Sequence, residues 1–187
     1  FKTLFNGIIL DISGEEAEAL KKVPGVKNVY PNYELSLDLY DSIPQIHADD
    51  VWELDRQGNP FCGESGQECL TGKGIKIAIL DTGVDYNHPD LGGCFGTREG
   101  GRFKCKIAGG YDFIDKDGDP MDVDGHGTSI ASIIVGNGTL KGVAPDAEIY
   151  AYRICDANWL CWEIIPALER ALDPNQDGNF DDKADII

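Results

Sequence analysis

Gly74-Ile75-Lys76-Ile77-Ala78-Ile79-Leu80-Asp81-Thr82-Gly83-Val84-Asp85 is the stretch on which the fold turns. Ile75 to Leu80 is a short, nearly continuous apolar run rich in branched side chains. A run with so little polar face predicts a central parallel strand, buried on both sides, and so an α/β chain. Asp81 then falls at the strand's C-terminal end, where open α/β sheets hold ligands and chemistry. A carboxylate there can accept the Nδ1 proton of a histidine and fix its tautomer. The plainer alternative is that Asp81 caps the turn that Gly83 completes.

The partner for such an acid lies downstream, in Asp124-Gly125-His126-Gly127-Thr128-Ser129-Ile130-Ala131. The histidine is boxed by two glycines, and Ile130, Ala131, Ile133, Ile134 and Val135 continue without a polar face. This pattern predicts the exposed mouth of a helix that runs through the middle of a domain. Gly125 and Gly127 let backbone or substrate approach the ring. An imidazole at that rim is placed for proton transfer near neutral pH. A helix-capping or core-edge histidine is the competing reading. Asp124 is expected to be the helix N-cap.

Four motifs occur in one order: Asp81-Thr82-Gly83, Asn87-His88-Pro89-Asp90-Leu91, Gly125-His126-Gly127-Thr128 and Gly142-Val143-Ala144-Pro145. Together they resemble the subtilisin-like serine peptidases, the subtilases, over about residues 43 to 187. A weaker resemblance covers the residues before. It implies a subtilisin-like parallel sheet with helices on both faces, of which this chain holds the N-terminal part. It also implies catalytic roles for Asp81 and His126, the acid orienting the imidazole and the imidazole serving as base for a serine. The family's serine sits in a Gly-Thr-Ser-Met-Ala-x-Pro motif well downstream. Gly127-Thr128-Ser129-Ile130-Ala131 imitates it, but Ser129 leaves the same helix as His126 and no proline follows Ala131. Ser129 is therefore not read as the nucleophile. Asp185-Ile186-Ile187 falls where another strand of the family's sheet begins, so the oxyanion asparagine and the serine are expected beyond it.

The 187 residues suit one medium domain plus a small one, and 42% hydrophobic content supports a core. The net charge of −17 argues against nucleic acid, whose phosphates it would repel. It fits a protein that holds cations, or one with solvated surface carboxylates. No run reaches the length of a membrane helix. Phe1 is not an initiator methionine, so the N-terminus reads as cut or processed. Six cysteines fall in three close pairs, Cys62/Cys69, Cys94/Cys105 and Cys155/Cys161, none with Cys-x-x-Cys spacing. Sequence alone does not fix their connectivity. Proximity predicts three local disulfides and hence an oxidising, extracellular setting. Reduced buried thiols are the other possibility.

Residues 1–40 read separately from 41–187. Phe5 to Ile12 can form a strand, Ser13 with Glu16 makes a capping box for a helix stopped by Pro24-Gly25, and Val26 to Leu39 returns extended. The pattern resembles the C-terminal part of a subtilase propeptide, a small α+β inhibitor-9-like domain. That resemblance implies a segment that chaperones folding, occupies the cleft with its tail, and is cut near Leu39 to Ser42. A short helix is expected over Ala48 to Leu54, and surface insertions over 56–71 and 91–108. Arg98, Arg102, Lys104 and Lys106 in the second could meet an acidic substrate, though a solvated loop is the plainer explanation. Ala147 to Arg153 reads as a buried strand, and Trp162 to Leu172 as a helix that tolerates Pro166 only in its first turn.

Two acidic runs suggest cations. Asp115, Asp117 and Asp119, in the acidic cluster that runs to Asp122, alternate as hard ligands do, although solvated carboxylates are the plainer reading. Asp173, Asn175, Asp177 and Asn179 place oxygens at alternating positions with Gly178 at the sixth, as in an EF-hand loop, with Asp182 or Asp181 to supply the last ligand; a plain acidic Asx-turn loop is the alternative. Ala184 stands where that loop needs a glutamate, so this is a structural Ca²⁺ expectation rather than an EF-hand proper. Asp90 is not assigned to calcium. Asn137-Gly138-Thr139 matches an N-glycosylation acceptor.

The function expected is a secreted serine endopeptidase working through an Asp/His/Ser triad whose serine lies outside this stretch. Its partners would be protein or peptide substrates, its own propeptide and the remainder of the catalytic domain. The alternative is a catalytically inactive calcium-binding fragment or pseudoprotease with an inhibitory segment.

Overall fold

The computed structural model describes residues 10, 12–30, 39–60, 62–63, 67–96, 98–99, 102–103 and 105–187. The chain divides into two compact units, Phe1–Leu37 and Asp38–Ile187. In the first, helix α1 (Gly14–Leu20) begins with the expected capping box. Ser13 Oγ accepts the Glu16 N–H, and the Glu16 carboxylate accepts the Ser13 N–H in return. Each side chain thus satisfies a donor that the first helical turn leaves unpaired. The strand expected from Phe5 and most of the extended return to Leu39 fall outside the described residues.

The second unit opens with α2 (Leu39–Gln45) and α3 (Ala48–Val51). Leu39 therefore starts a helix instead of closing an extended segment, and the turn buries Ile43 to 6% exposure. The helix from Ala48 stops at Val51, short of Leu54. Leu54 instead bridges to Pro60 across a turn in which the Asp55 carboxylate accepts the Gln57 and Asn59 N–H groups.

Strand β1 (Lys76–Asp81) is followed by a two-stranded hairpin, β2 (Arg98–Glu99) with β3 (Arg102–Phe103), and then by β4 (Ile107–Asp112). Helix α4 (His126–Val135), strand β5 (Glu148–Arg153) and helix α5 (Ile164–Leu172) complete the unit. The main sheet has the order β1-β5-β4, all parallel. Its C-terminal ends align at Asp81, Arg153 and Asp112, which are register partners across the three strands. Ile186 pairs in parallel with Ile77, on the side of β1 away from β5.

Alternation along the strands divides the core between two faces. Ile77, Ile79, Ile149 and Ala151 pack with Ala131 and Val135 of α4. Ala78, Tyr150 and Tyr152 pack with Ala167 and Ala171 of α5. The sheet is thus covered on both sides, which is why β1 and β5 read as apolar runs. Pro166 does lie in the first turn of α5, where its missing N–H has no helical acceptor to lose.

Strand β4 is absent from the sequence reading, which placed a surface insertion up to Ala108. Its glycines explain both the omission and the packing. A Cβ on Gly110 would stand 2.0 Å from the Ala151 carbonyl oxygen and 2.8 Å from Pro120 Cγ. Glycine here marks close approach of two backbones rather than a loop. Helix α4 also differs from expectation. It buries Gly127, Ala131 and Val135, four residues apart, against the sheet, while Ile133 remains 37% exposed. The helix lies along one face rather than running through the middle.

The three disulfides join Cys62–Cys69, Cys94–Cys105 and Cys155–Cys161. Among the described residues no helix is long and apolar enough to cross a membrane.

Candidate active site

Asp81 ends β1 and His126 begins α4, the helix that lies across the same strand. The glycine at each side of the ring is needed for a different reason. Gly125 is the N-cap at φ 107°, a left-handed turn that a Cβ would strain. Gly127 is buried against the turn after β1, where a Cβ would meet the Gly83 carbonyl oxygen at 2.0 Å. This approach brings His126 Nδ1 to 2.9 Å from Asp81 Oδ1 and 3.0 Å from Oδ2. Asp81 Oδ1 also accepts the Thr82 N–H at 2.7 Å, which holds the carboxylate in place.

An ionised carboxylate only accepts hydrogen bonds, so the shared proton sits on Nδ1 and Nε2 carries the lone pair. The Asp81 side chain is 18% exposed and the His126 side chain 44%. The acid is therefore sheltered while the ring still reaches solvent. The hydrogen bond that the ring donates to Asp81 raises the imidazole pKa, partial burial opposes it, and the charges of Asp81, Asp124 and Asp122 add smaller increases.

On another side the Trp159 ring packs against the imidazole, centroids 4.8 Å apart at 73°. Trp159 sits at φ 62° in the turn that Cys155–Cys161 closes. The Asp156 carboxylate accepts the Asn158 and Leu160 N–H groups within that turn. The sequence reading found the stapled turn but not its tryptophan. A lone aromatic in a polar loop carries no periodic signal.

Asp124 is not the helix cap. Gly125 holds the N-cap position, and the Asp122 carboxylate supplies the capping bonds, accepting the Asp124, Gly125 and Thr128 N–H groups. Burial pushes the Asp122 carboxyl up, but bonds from Thr128, Gly125 and Asp124 outweigh it and hold the group below the usual carboxylate range. Ser129 Oγ donates to the Gly125 carbonyl one turn back, at 2.9 Å.

The acidic run before the helix does not gather around a common point. Asp112 and Asp115 both hold the buried Arg153 guanidinium. Asp117 accepts the Asp119 N–H, and Asp119 accepts the Tyr86 hydroxyl. These carboxylates are engaged by protein partners, and among the described residues no three of them converge as for a metal ion. Lys106 also leaves the substrate-facing set, because its ammonium donates to the Val135 and Pro145 carbonyls. Of the other basic residues there, Arg98 and Arg102 fall in the β2–β3 hairpin and Lys104 lies outside the described residues. Asp90 accepts the Thr139 N–H.

In the second acidic run the loop winds on its own donors. Asp173 accepts the Asp177 and Gly178 N–H groups, and Asp182 Oδ2 accepts the Asn175 N–H. Asn175 and Asn179 donate their side-chain amides to Asp177 and Asp181. No group of three or more His, Cys, Asp or Glu converges as for a metal ion among the described residues. One oxygen there is left over: Asp182 Oδ1 is buried without a hydrogen-bond partner.

Comparison with known proteins agrees with this geometry. The subtilase family profile matches residues 72–187, and that of peptidase inhibitor I9 matches residues 1–38. The minor extracellular protease Vpr of Bacillus subtilis (strain 168) is 35% identical over 95% of this chain and 22% of its own length. The thermophilic serine proteinase of Bacillus sp. (strain AK1) is 36% identical over 84% of the chain and 36% of its own length. Thermitase of Thermoactinomyces vulgaris is 45% identical over 46% of the chain and 28% of its own length. The chain thus spans 22% to 36% of these relatives. A matched profile over most of the chain, with a parallel sheet whose first strand ends at Asp81, establishes the kinship: this chain belongs to the subtilase family.

Proposed function

We propose that this chain supplies two members of the triad of a secreted serine endopeptidase, the serine coming from polypeptide outside these residues. The observation that carries the reading is the bidentate approach of Asp81 to His126 Nδ1 beside an exposed ring. With its proton held on Nδ1, the imidazole takes the serine hydroxyl proton at Nε2 as the oxygen attacks the scissile carbonyl. The imidazolium gives that proton to the leaving amine, and the acyl-enzyme forms. Water then attacks the acyl carbon as it loses a proton to Nε2, and the imidazolium returns that proton to the serine oxygen as the acyl–oxygen bond breaks and the acid leaves. Asp81 keeps the ring oriented and offsets the charge that develops on it. The test is hydrolysis of a peptide substrate by the longer protease that carries this chain. His126→Ala should abolish turnover, and an unchanged rate would overturn the assignment.

Residues 1–40 act as the C-terminal part of a propeptide and 41–187 as the N-terminal part of the peptidase domain. The inhibitor I9 match supports the first role. The extracellular relative and the three disulfides support secretion. Intact mass of an active preparation checks the maturation cut near 39–42, and a mature form beginning at Phe1 would contradict it.

Calcium binds at Asp173, Asn175, Asp177, Asn179 and Asp182 as a structural ion. The buried, unpartnered Asp182 Oδ1 and the all-oxygen donor set fit a hard cation. Bound there, Ca²⁺ supplies charge that ties the loop after α5 together, with no part in the chemistry. Calorimetry on EDTA-stripped protein should show a rise in Tm with Ca²⁺. No rise, or the same rise in Asp177→Ala/Asp182→Ala, would remove the site.

A further inference from the structure

We infer that Asp122 is a positioning residue for the Asp81–His126 pair, and that it acts by clamping the mouth of α4 to the turn after β1. This inference rests on the peptidase reading for its consequence in turnover, but not for its geometry. On the helix side, Asp122 Oδ1 accepts the Gly125 N–H at 2.9 Å and the Asp124 N–H at 3.0 Å. Oδ2 accepts the Thr128 N–H at 2.9 Å and the Thr128 hydroxyl. On the strand side, Oδ1 accepts the hydroxyl of Thr82 at 2.8 Å. Thr82 is fully buried and directly follows Asp81.

The clamp is closed by two further bonds. The Gly127 N–H donates to Thr82 Oγ1, and the Asp85 N–H donates to Thr128 Oγ1. His126 is therefore bracketed, since Gly125 and Gly127 on either side are both held in this network. Asp81 is held at its neighbour, Thr82. One carboxylate consequently fixes the spacing between two chain segments that are 45 residues apart in sequence and whose side chains must meet at 2.9 Å. A helix N-cap alone would need only the helix-side bonds; the bond to Thr82 and the two closing bonds have no capping purpose.

The substitutions separate positioning from folding. In Asp122→Ala all of these acceptors are lost. In Asp122→Asn one oxygen remains, and the amide can donate to the Thr128 hydroxyl, so the clamp is half kept. Thr82→Val breaks the strand-side link alone. A misplacement of about 1 Å lowers rates by about 10²-fold. In the longer protease, Asp122→Ala should lower kcat by about that factor with KM nearly unchanged, and Asp122→Asn should lie between it and the wild type. The charged groups facing His126 are Asp81 from β1 and Asp122 and Asp124 from the segment before α4, with Trp159 neutral opposite. Losing one of these anions and loosening another should move the acid limb of kcat/KM to lower pH. Loss of stability alone leaves that limb where it is.

The decisive experiment combines those profiles with the Nδ1 proton resonance of His126, which reports its bond to Asp81 without requiring turnover. Asp122→Ala should lose the downfield resonance and Asp122→Asn should weaken it. Asp122→Ala/Thr82→Val should be no slower than the worse single variant, because both act through one link. A wild-type rate, limb and resonance in Asp122→Ala would overturn the inference, as would fully additive effects in the double variant. A wild-type protein that shows the resonance but hydrolyses nothing would sink the peptidase reading while leaving the clamp standing.

Discussion

Gly127→Ala adds one methyl group at the point where helix and strand come closest. The built Cβ stands 2.0 Å from the Gly83 carbonyl oxygen, 3.1 Å from its carbon and 3.3 Å from Asp81 Cβ. Real side chains keep such contacts above 3.0 Å, so α4 or the Gly83 turn must retreat by about 1 Å. Neither is free to do so cheaply, because the obstructing atoms are backbone and Gly127 is itself buried. Overpacking of this kind costs about 1–3 kcal/mol of stability. The same retreat lengthens a 2.9 Å hydrogen bond between His126 and Asp81, and a displacement of that size lowers catalysis by about 10²-fold. Gly125→Ala is the control. No atom lies within 4 Å of its Cβ, so only the backbone strain at φ 107° remains, about 1–2 kcal/mol. In the longer protease, chemical denaturation gives the stability of each variant and peptide hydrolysis gives its rate. Gly127→Ala should lose both, with a rate loss clearly larger than that of Gly125→Ala. Wild-type turnover in Gly127→Ala would refute the claim that this backbone contact sets the catalytic spacing.

Asp81→Asn should lower kcat/KM by about 10³–10⁴-fold, because an amide offers Nδ1 the wrong tautomer. It should also move the acid limb down, since the Asp81 hydrogen bond is the largest influence raising the His126 pKa. Cys155→Ser/Cys161→Ser should remove on the order of 2–3 kcal/mol of stability and change Trp159 emission as its turn loosens beside His126. Lys106→Met should destabilise the domain by about 2 kcal/mol, because it strips the Val135 and Pro145 carbonyls of a donor. It should leave KM for acidic peptides unchanged, where a substrate-binding lysine would raise it.

The parts of the fold that announce themselves in the sequence are those whose packing demands one residue type over a run. Ile77–Leu80 had to be apolar because β1 is covered on both faces, and Ser13 with Glu16 had to be spaced by three to close a capping box. Strand β4 needs the reverse, because its neighbour comes so close that a side chain is excluded at Gly110 and crowded by the Tyr150 ring at Gly109. Glycines then look like a loop. Asp81 and His126 were legible because glycines and the motif order surround them. Their supports were not. Choosing Asp122 over Asp124 as the capping side chain depends on how the chain turns before Gly125, and any of several nearby aspartates satisfies the pattern. Asp115, Asp117 and Asp119 show the same limit: alternation fixes spacing along the chain, whereas Arg153 and Tyr86 decide where the carboxylates point.

Labelling by a fluorophosphonate across pH tests the central claim most directly, because the probe reacts with a serine activated by a base, here a neutral imidazole. The sign follows from the raised pKa: His126 is neutral and competent above its own pKa, and reactivity is lost as pH falls through it. In the longer protease a serine should label, with an acid limb above the ordinary imidazole value of 6.5. That limb should fall in Asp81→Asn, and labelling should vanish in His126→Ala. Labelling that persists in His126→Ala, or a limb that ignores Asp81, would contradict it.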